Sequence, residues 1–516
     1  MNLYSLGIEF GSTRIKAVLV DSNGEVELSS VHEWENELVE GMWTYSITQI
    51  ENGLQDAYQK IAFAYEQKFS EKLTKLESIG ISAMMHGYLA LDENDELLVP
   101  FRTWRNTNTD RASRKLSELF QFNIPHRWSV AHVYEVILNE ENHLSNLNSL
   151  HTLASYVHYR LTGEHVIGVG DAAGMFPIDK CGLDYDKSML EAFSALPEVQ
   201  KHNIELYNLL PTVLPAGKAA GRLSSAGAKL LDPSGELSPG VLFAPPEGDA
   251  GTGMVATNSL IEKSGNISVG TSVFSMMVLE KALENYYPEV DIVTTPEGKL
   301  VAMIHCNNGT SEIDAWVRLF KQTMEHSGNK VSMTDAYEFL YNKALEAEKS
   351  AGGIVSVNFL AGEPIAKVNE AQPLYTRSID SSLTLENFML SQIYSIFSTL
   401  KLGMKILEGE EVVIDNIVAH GGVFKTEGVM QTILASILDT SVSVYRSAGE
   451  GGAWGIAVLA AYSASKAKGY DGDLVTYVNG IFENQERPQT IQPDEQISEG
   501  FEKYLNSYIE IIKKYN

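Results

Sequence analysis

The feature that most constrains the fold is a short segment that occurs twice, half a chain apart. Residues 8–13 read I-E-F-G-S-T and residues 267–272 read I-S-V-G-T-S, 259 positions later in a chain of 516 residues. Each copy is an apolar strand that enters a turn of small hydroxylated residues, and a second apolar strand follows each turn. This spacing predicts two related α/β halves, and the length of the chain also favours two domains over one core.

The rest of the chain fits a two-domain arrangement. Helix patterns over residues 47–69, 149–160 and 385–407 alternate with short apolar strands such as residues 78–83. A segment rich in proline and glycine, residues 201–248, leads up to the second copy. We therefore expect an N-terminal domain over residues 1–255 and a C-terminal domain over residues 256–516. Since no low-complexity linker separates them, we expect them to pack directly with a cleft between them.

Composition limits the kind of partner. The chain has 39 basic and 67 acidic residues, for a net charge of -28. A surface this negative repels phosphate backbones and anionic lipids, so we expect neither nucleic acid nor a membrane as partner. A small molecule remains the expected partner, and the sequence leaves a homodimer open.

Several signals favour the cytoplasm. The two cysteines, Cys181 and Cys306, form no CxxC motif, which favours a reducing compartment and argues against structural zinc. The first residues lack the pattern of a secretory signal, and no apolar run is long enough to cross a membrane. We expect a soluble cytoplasmic protein.

The first copy of the repeat could hold a phosphate. Gly11, Ser12 and Thr13 form a turn whose N–H groups and hydroxyls suit an anion. Glu9 could hold a magnesium ion, directly or through water, and Lys16 could neutralise charge on a transferring phosphoryl group. An ordinary hairpin turn is the commoner meaning of such a pattern.

The second copy strengthens the phosphate hypothesis. Gly270 and Thr271 occupy the matching turn, so two hairpins facing each other could hold a triphosphate from both sides. Further along, a strand predicted over residues 412–419 runs into Gly421 and Gly422, with Lys425 beyond them. The absence of side chains there would let a base or ribose lie against the backbone, although a simple tight turn is an equally common reading.

Asp249 is the candidate general base. It lies among glycines just before the predicted boundary, where backbone can approach a ligand closely. Transfer of phosphate to an alcohol needs a group that takes the hydroxyl proton. The alternative is an aspartate that caps the following helix.

Two further segments could contact a substrate. His86 follows Met85 at a predicted strand end and could offer a hydrogen bond to a hydroxylated ligand. Trp104 and Asn106 place an aromatic face and an amide close together, a pairing that suits a sugar ring. A structural histidine and a core tryptophan are the alternatives.

In their order along the chain, these motifs resemble those of the FGGY carbohydrate kinases, and within them the xylulokinase-like branch. The resemblance runs from Gly7 to about Tyr462. It rests on I-E-F-G-S-T-R-I-K at 8–16, M-M-H-G at 84–87, F-R-T-W-R-N at 101–106, D-A-A-G-M-F-P-I-D at 171–179, E-G-D-A-G-T-G at 247–253, G-N-I-S-V-G-T-S at 265–272, A-G-E at 361–363, A-H-G-G at 419–422 and G-G-A-W-G-I-A at 451–457.

The resemblance implies an α/β fold with two ribonuclease H-like domains of the actin and hexokinase type and a cleft between them. The N-terminal domain would bind the sugar and the C-terminal domain the nucleotide. By the same resemblance Asp249 is the catalytic base and a second candidate metal ligand beside Glu9. The remaining residues divide into a substrate set (Met85, His86, Trp104, Asn106) and an ATP set (Gly11, Ser12, Thr13, Lys16, Gly270, Thr271, Gly421, Gly422, Lys425).

Three departures from the family pattern bear on the substrate. Glu9 stands where an aspartate is usual, Asn106 where W-x-D-x-R is common, and Ala250 where xylulokinases tend to have an asparagine. The last change removes an amide that could select one hydroxyl configuration.

The sequence thus predicts a kinase that uses ATP and Mg²⁺ to phosphorylate a sugar hydroxyl, with a ketopentose such as xylulose as the first candidate. Another ketose, a polyol or a sugar acid remains open. So do a nucleotide-switched binding protein of the actin and chaperone type and an inactive sugar sensor.

Overall fold

The structure, a computed structural model, describes residues 3–445, 451–483 and 488–515. Its strands, in chain order, are Ser5–Phe10 (β1), Arg14–Val20 (β2), Val26–Glu33 (β3), Glu37–Val39 (β4), Met42–Thr44 (β5), Ser78–Ala83 (β6), Leu89–Leu91 (β7), Ser149–His151 (β8), Val166–Gly168 (β9), Thr212–Leu214 (β10), Leu242–Phe243 (β11), Glu247–Gly248 (β12), Ser264–Val269 (β13), Val273–Val278 (β14), Asp291–Thr294 (β15), Leu300–Cys306 (β16), Ile354–Val357 (β17), Leu374–Arg377 (β18), Asn416–His420 (β19), Ser441–Val444 (β20) and Gln489–Ile491 (β21).

The α-helices are Ile47–Phe69 (α1), Asp110–Phe120 (α2), Ser129–Leu138 (α3), Leu153–Thr162 (α4), Val169–Ala172 (α5), Lys187–Ser194 (α6), Pro197–Lys201 (α7), Leu206–Leu209 (α8), Ser225–Leu231 (α9), Asp249–Ala256 (α10), Ser311–His326 (α11), Met333–Leu345 (α12), Leu385–Gly409 (α13), Val429–Leu438 (α14), Gly451–Ala467 (α15), Leu474–Phe482 (α16) and Glu495–Ile512 (α17). Short 3-10 helices cover Asn142–Asn146, Ala351–Gly353, Pro364–Ala366, Gly422–Lys425 and Lys513–Tyr515. Among the described residues, no helix is both long and apolar enough to span a membrane.

The chain divides into two compact units. The first contains the described residues within Met1–Leu260, Tyr286–Val301 and Ser447–Gln485, and the second those within Ile261–Asn285, Ala302–Arg446 and Glu486–Asn516. Two segments that follow the boundary expected from the sequence therefore fold with the first unit. One of them carries α15, which packs on β1, β6 and α10.

In the first unit the central sheet has the strand order β11-β6-β1-β2-β3, and β12 also pairs with β6. β1, β2 and β3 are antiparallel neighbours, whereas β6 runs parallel to β1, and β11 and β12 run parallel to β6. The residues of β6 are all buried, as expected for a parallel strand that is covered on both faces.

The second unit repeats this arrangement. Its sheet order includes β16-β14-β13-β19-β20-β21, in which β13 and β14 form an antiparallel hairpin and β19 and β20 run parallel to β13. β13 occupies the place that β1 has in the first unit, and β19 that of β6. The two halves inferred from the repeated sequence are thus also related in topology.

Most long helices begin and end where local signals predict. α1 has the predicted bounds because Ser46 and Gln49 form a capping box before it. The helix expected from residue 149 instead begins at Leu153, because Thr152 caps it and Ser149–His151 pairs with β7 as a strand.

Candidate active site

In the first unit, three of the predicted site segments follow strands whose carboxyl ends are level. Phe10, the last residue of β1, lies opposite Ala83 at the end of β6. Ala83 in turn lies opposite Gly248 at the end of β12. The hairpin that begins at Gly11, the segment with Met85 and His86, and Asp249 therefore leave the sheet at one edge. Edges of this kind are where open α/β sheets bind ligands.

Asp249 is the first residue of α10 and is exposed to solvent. The backbone N–H groups of Met85 and Ala250 favour the ionised form of its carboxyl group. The surrounding protein nevertheless desolvates the charged form, which raises the pKa of Asp249 to about 6. A carboxylate with this pKa is ionised at neutral pH and basic enough to take a proton.

Met85 and His86 are both buried residues of the segment that follows β6. The backbone N–H of Met85 favours the ionised form of Asp249. His86 has a φ of 71°, in the left-handed region, a strained conformation that is common at functional sites. Its Nδ1–H donates to the carbonyl of Gly174 at 3.3 Å, and burial lowers its pKa well below the usual value. The ring is therefore neutral.

Glu9 lies near the end of β1, directly opposite Lys16 on β2. Its Oε2 accepts a hydrogen bond from the backbone N–H of Ala453, in the first turn of α15, at 3.1 Å. Burial and the charge of Asp249 raise the pKa of Glu9 to about 7. Glu9 therefore anchors α15 to the sheet edge, a use that the sequence did not reveal.

The chemistry of the donors fits a magnesium ion. Mg²⁺ is usually held by one or two carboxylates together with waters and substrate phosphates. Asp249 influences Glu9 electrostatically, and these two residues are carboxylates of the kind that could hold such an ion. Within the described ranges, no cluster of three or more metal-ligating side chains was found.

Two aromatic side chains donate hydrogen bonds to the carbonyl oxygens of the first hairpin. The indole N–H of Trp34 donates to the Gly11 carbonyl at 2.8 Å, and the Tyr45 hydroxyl donates to the Ser12 carbonyl at 2.6 Å. The two rings stack with centroids 4.1 Å apart. Ser12 is half-buried and Thr13 is exposed. The stacked pair thus fixes the hairpin by its carbonyls and leaves Thr13 at the surface.

Trp104 and Asn106 differ in what they can offer a ligand. Trp104 is 38% exposed. Asn106 is buried, and its amide forms a pair of hydrogen bonds with the backbone N–H and carbonyl of Trp43 at 2.9 and 2.8 Å. The amide also donates to the carbonyl of Thr103 at 3.1 Å. The structure thus uses Asn106 to hold the loop that presents Trp104.

The predicted nucleotide residues of the second unit also share one sheet edge. β13 and β19 are parallel, with Ser268 opposite His420, so that Gly270 and Gly421 follow level strand ends. Gly421 has a φ of 124°, and a Cβ there would lie 2.1 Å from the carbonyl oxygen of Val269, so only glycine fits. A Cβ on Gly422 would meet nothing within 4 Å. Open space therefore lies beside Gly422, and Lys425 is exposed nearby in the sequence.

The second hairpin is fixed in the same way as the first. The carbonyls of Gly270 and Thr271 accept hydrogen bonds from the backbone N–H groups of Thr310 at 2.9 Å and Gly309 at 2.8 Å. The tip itself, Gly270 and Thr271, is exposed. In both units the small hydroxylated turn is thus bound through its carbonyls.

Two buried carboxyl groups beside Asp249 were not among the predicted site residues. The carboxylate of Glu247 accepts hydrogen bonds from the backbone N–H groups of Gly170 and Asp171 at 3.2 and 3.1 Å. Asp171 accepts from the hydroxyl of Thr152 at 2.6 Å. Burial raises the pKa of Glu247 to about 8 and that of Asp171 to about 7. Both residues belong to quoted motifs, but only the fold brings them together.

Arg127 was also not among the predicted site residues. It forms an ion pair with Asp291 on β15 and its charge lowers the pKa of both Asp249 and His86. The nearest signal in the sequence is an arginine next to Trp128, and nothing there links it to residue 291, far along the chain.

Comparisons with known proteins agree with this arrangement. The model of the N-terminal domain of the FGGY family of carbohydrate kinases matches residues 4–234, and the model of the C-terminal domain matches residues 265–464. A gluconokinase from Bacillus subtilis (strain 168) is 21% identical over 486 residues, covering 91% of this chain and 90% of that protein. A xylulose kinase from Haemophilus influenzae is 23% identical over 454 residues, covering 85% of this chain and 86% of that protein.

A solved structure shows the same fold. The ligand-bound xylulose kinase from Lactobacillus acidophilus superposes with a TM-score of 0.79 at 18% identity, covering 99% of this chain and 98% of that one. The predicted fold class, two domains of the actin and hexokinase type, is therefore confirmed. With both domain models matched in order along most of its length, the chain belongs to the FGGY family of carbohydrate kinases.

Proposed function

We propose that this kinase transfers the terminal phosphate of ATP to a hydroxyl of a neutral sugar, with a ketopentose such as xylulose as the first candidate. The observation that carries the proposal is the position of Asp249. Asp249 is exposed and has a pKa of about 6, and it lies at the edge where the predicted substrate and phosphate segments leave the sheet.

In this proposal Asp249 acts as the general base. It takes the proton of the acceptor hydroxyl while the oxygen forms a bond to the terminal phosphorus and the bond between that phosphorus and ADP breaks. The N–H groups of Met85 and Ala250 would favour the ionised form of Asp249, which accepts this proton. His86 and Trp104 would contact the sugar, and Asn106 would hold the loop that carries Trp104.

Each unit contains small residues that would contact the nucleotide. We assign Gly11, Ser12 and Thr13 to the phosphates from the first unit, and Gly270 and Thr271 from the second. Gly421, Gly422 and Lys425 would contact the adenosine side, because open space lies beside Gly422. Lys16 would neutralise charge on the phosphoryl group.

Magnesium would be held by Glu9 and Asp249, in part through water, and would neutralise charge on the phosphate oxygens. The electrostatic influence of Asp249 on Glu9 in the first unit supports this role.

The charge around Asp249 favours a neutral sugar over a sugar acid. Glu9, Asp171 and Glu247 add further carboxyl groups to the same part of the first unit. Of the nearby cations, Arg127 is already paired with Asp291. Because the pKa values of Glu9, Asp171 and Glu247 are about 7, 7 and 8, these groups become negative as the pH rises above 7, and a substrate carboxylate would then add a further negative charge.

The test is a screen that follows ADP formation with xylulose, other ketoses, polyols and gluconate, each at a fixed excess of MgATP. We expect the highest kcat/KM with a neutral sugar and its loss in Asp249→Asn. A higher kcat/KM with gluconate would replace the substrate proposal with that of a sugar acid kinase. ATP turnover that no sugar stimulates would instead indicate a nucleotide-switched protein.

A further inference from the structure

The second unit contains a buried carboxylate that the proposed function does not use. Glu363, the last residue of the A-G-E motif, is completely buried, although ionisable residues are rarely buried without a partner. We propose that Glu363 is a positioning residue for the nucleotide, which acts through Asn308 to fix the hairpin at Gly270 and Thr271. This inference rests on the proposed assignment of that hairpin to the phosphates of ATP.

The first link joins Glu363 to Asn308. Oε2 of Glu363 accepts hydrogen bonds from the backbone N–H of Asn308 at 3.2 Å and from its side-chain amide at 3.0 Å. Asn308 is buried as well. Two donors from the same residue converge on one oxygen, which suits a carboxylate, and burial raises the pKa of Glu363 to about 7. Above that pH the oxygen is charged, and hydrogen bonds to a charged acceptor are the stronger kind.

The second link fixes the loop that contains Asn308. Its Oδ1 accepts from the backbone N–H groups of Leu360 and Ala361 at 2.8 and 3.0 Å. The amide of Asn358 donates to the carbonyls of Asn308 and Gly309 at 3.1 and 2.9 Å. The loop is thus held from the side of Glu363 by several buried hydrogen bonds.

The third link joins this loop to the hairpin. The N–H groups of Gly309 and Thr310 donate to the carbonyls of Thr271 and Gly270. The contact is so close that a Cβ on Gly309 would lie 2.2 Å from the Gly270 carbonyl oxygen. A shift of Asn308 would therefore move the turn that is proposed to meet the phosphates.

The main test is Asn308→Asp. It keeps the acceptor for Leu360 and Ala361 but places a second carboxylate against Glu363. We expect the Kd for the magnesium complex of adenylyl imidodiphosphate, measured by calorimetry without sugar, to rise about 10-fold or more. In the ADP assay the KM for ATP should rise to a similar extent, while the KM for the sugar should change less than about 3-fold.

The same unit offers a matched control. Glu410 accepts hydrogen bonds from the backbone N–H and the side-chain amide of Asn285, at 3.2 and 2.8 Å. Asn285 follows β14 beyond the end that is opposite to the hairpin. Asn285→Asp therefore creates the same kind of repulsion elsewhere, and we expect it to leave the KM for ATP within about 2-fold of wild type.

A second variant separates positioning from general damage. Combining Asn308→Asp with Glu363→Gln removes the facing charges and lets the new amide donate to the new carboxylate, while the backbone N–H of residue 308 loses its acceptor Oε2. We expect part of the nucleotide affinity to return, with a Kd at least about 3-fold below that of Asn308→Asp. If Asn308→Asp does not fold, Glu363→Gln alone, which keeps the size and one acceptor oxygen, should raise the nucleotide Kd about 3-fold.

Unchanged nucleotide affinity in a folded Asn308→Asp protein, an equal loss in Asn285→Asp, or a double variant as weak as the single one would overturn the inference. If Asn308→Asp does not fold, an unchanged Kd in Glu363→Gln overturns it. Failure of the proposed function is recognised separately, since it would appear in the wild-type protein as the absence of sugar-stimulated ADP formation.

Discussion

The carboxylate of Glu9 binds the backbone N–H of Ala453, 444 residues away in the sequence, at 3.1 Å. The residue that the family pattern suggests as a metal ligand thus also caps α15. Because the side chain is one methylene longer than aspartate, it can reach the helix from the end of β1. The departure from the family pattern at residue 9 therefore has a structural use.

We expect Glu9→Asp to lower the free energy of unfolding by about 1 kcal/mol, since the shorter side chain withdraws from the first turn of α15. Glu9→Gln keeps an acceptor at the same distance from the backbone, so it should lower the free energy of unfolding less than Glu9→Asp does. It also removes the negative charge that is proposed to hold magnesium. Urea unfolding at pH 8 compares them, with Glu93→Asp, in an exposed turn, as control. Equal stability of Glu9→Asp and wild type would contradict the capping role.

The rate of sugar phosphorylation should have an acidic limb near pH 6. The base must be ionised, and the pKa of Asp249 is about 6, so kcat/KM should fall about tenfold for each pH unit below that value. Asp249→Asn should reduce kcat by about 10²- to 10⁴-fold and abolish this limb. The measurement is a pH profile of ADP formation at saturating MgATP. A folded Asp249→Asn protein with near-normal kcat would show that another group is the base.

Stability should decrease as the pH rises from about 4.5 to about 8. The pKa of Glu247 is raised to about 8 and that of Asp171 to about 7 in the folded chain, whereas unfolding returns both to ordinary values near 4. Between these limits the folded state binds more protons than the unfolded state. The stabilisation that these two groups give to the folded state is therefore complete below about pH 4 and is lost as the pH rises through the folded pKa values. Urea unfolding at several pH values should show this slope, and Glu247→Gln should flatten it. An unchanged slope in that variant would rule out Glu247 as a source.

Gly422→Ala tests the adenosine contact without disturbing the fold. A methyl group there meets no protein atom within 4 Å, so the melting temperature should stay within about 1 °C of wild type, as for surface changes in general. The KM for ATP should rise about 10-fold if the nucleotide lies against this backbone. Gly409→Ala, at the end of α13 and equally free of neighbours, is the matched control. An unchanged KM for ATP would remove Gly422 from the nucleotide site.

Substitutions of Trp104 and Asn106 should affect different properties, sugar binding for Trp104 and stability for Asn106. Trp104→Ala removes a partly exposed ring, so we expect a KM for the sugar raised about 10-fold with little change in stability. Asn106→Ala leaves the backbone N–H of Trp43 without this acceptor and removes one of the donors to its carbonyl, so it should cost about 1–3 kcal/mol of unfolding free energy. Sugar kinetics and thermal unfolding of both variants check this. A destabilised Trp104→Ala protein with normal KM would assign that ring to the core.

Sequence reasoning succeeded where the signals are local. The repeated hairpin, the bounds of α1 and the glycine turn at Gly421 each depend on residues within a few positions of one another. The strand predicted from residue 412 begins only at Asn416, because the end of α13 and its following turn extend further than expected. Even this error leaves the glycine turn at the predicted strand end.

The parts of the site that sequence reasoning missed depend on contacts between distant segments. Nothing local reveals that Asn106 pairs with the backbone of Trp43, or that Glu247 accepts hydrogen bonds from Gly170 and Asp171. The pKa of a carboxyl group depends on how much protein surrounds it, which a pattern of residue types does not contain. Candidate site residues could thus be identified from the sequence more readily than the residues that contact them.

The level ends of β1, β6 and β12 limit which insertions the sheet can accept during evolution. Inserting one residue within any of these strands would turn every later side chain to the opposite face and carry Asp249 or the first hairpin away from its neighbours. Loops beyond the strand ends, such as the one that carries Trp104, can lengthen or exchange residues without that effect. We therefore expect substrate preference to diversify in the loops, while the phosphate-transfer chemistry stays tied to the register of the sheet.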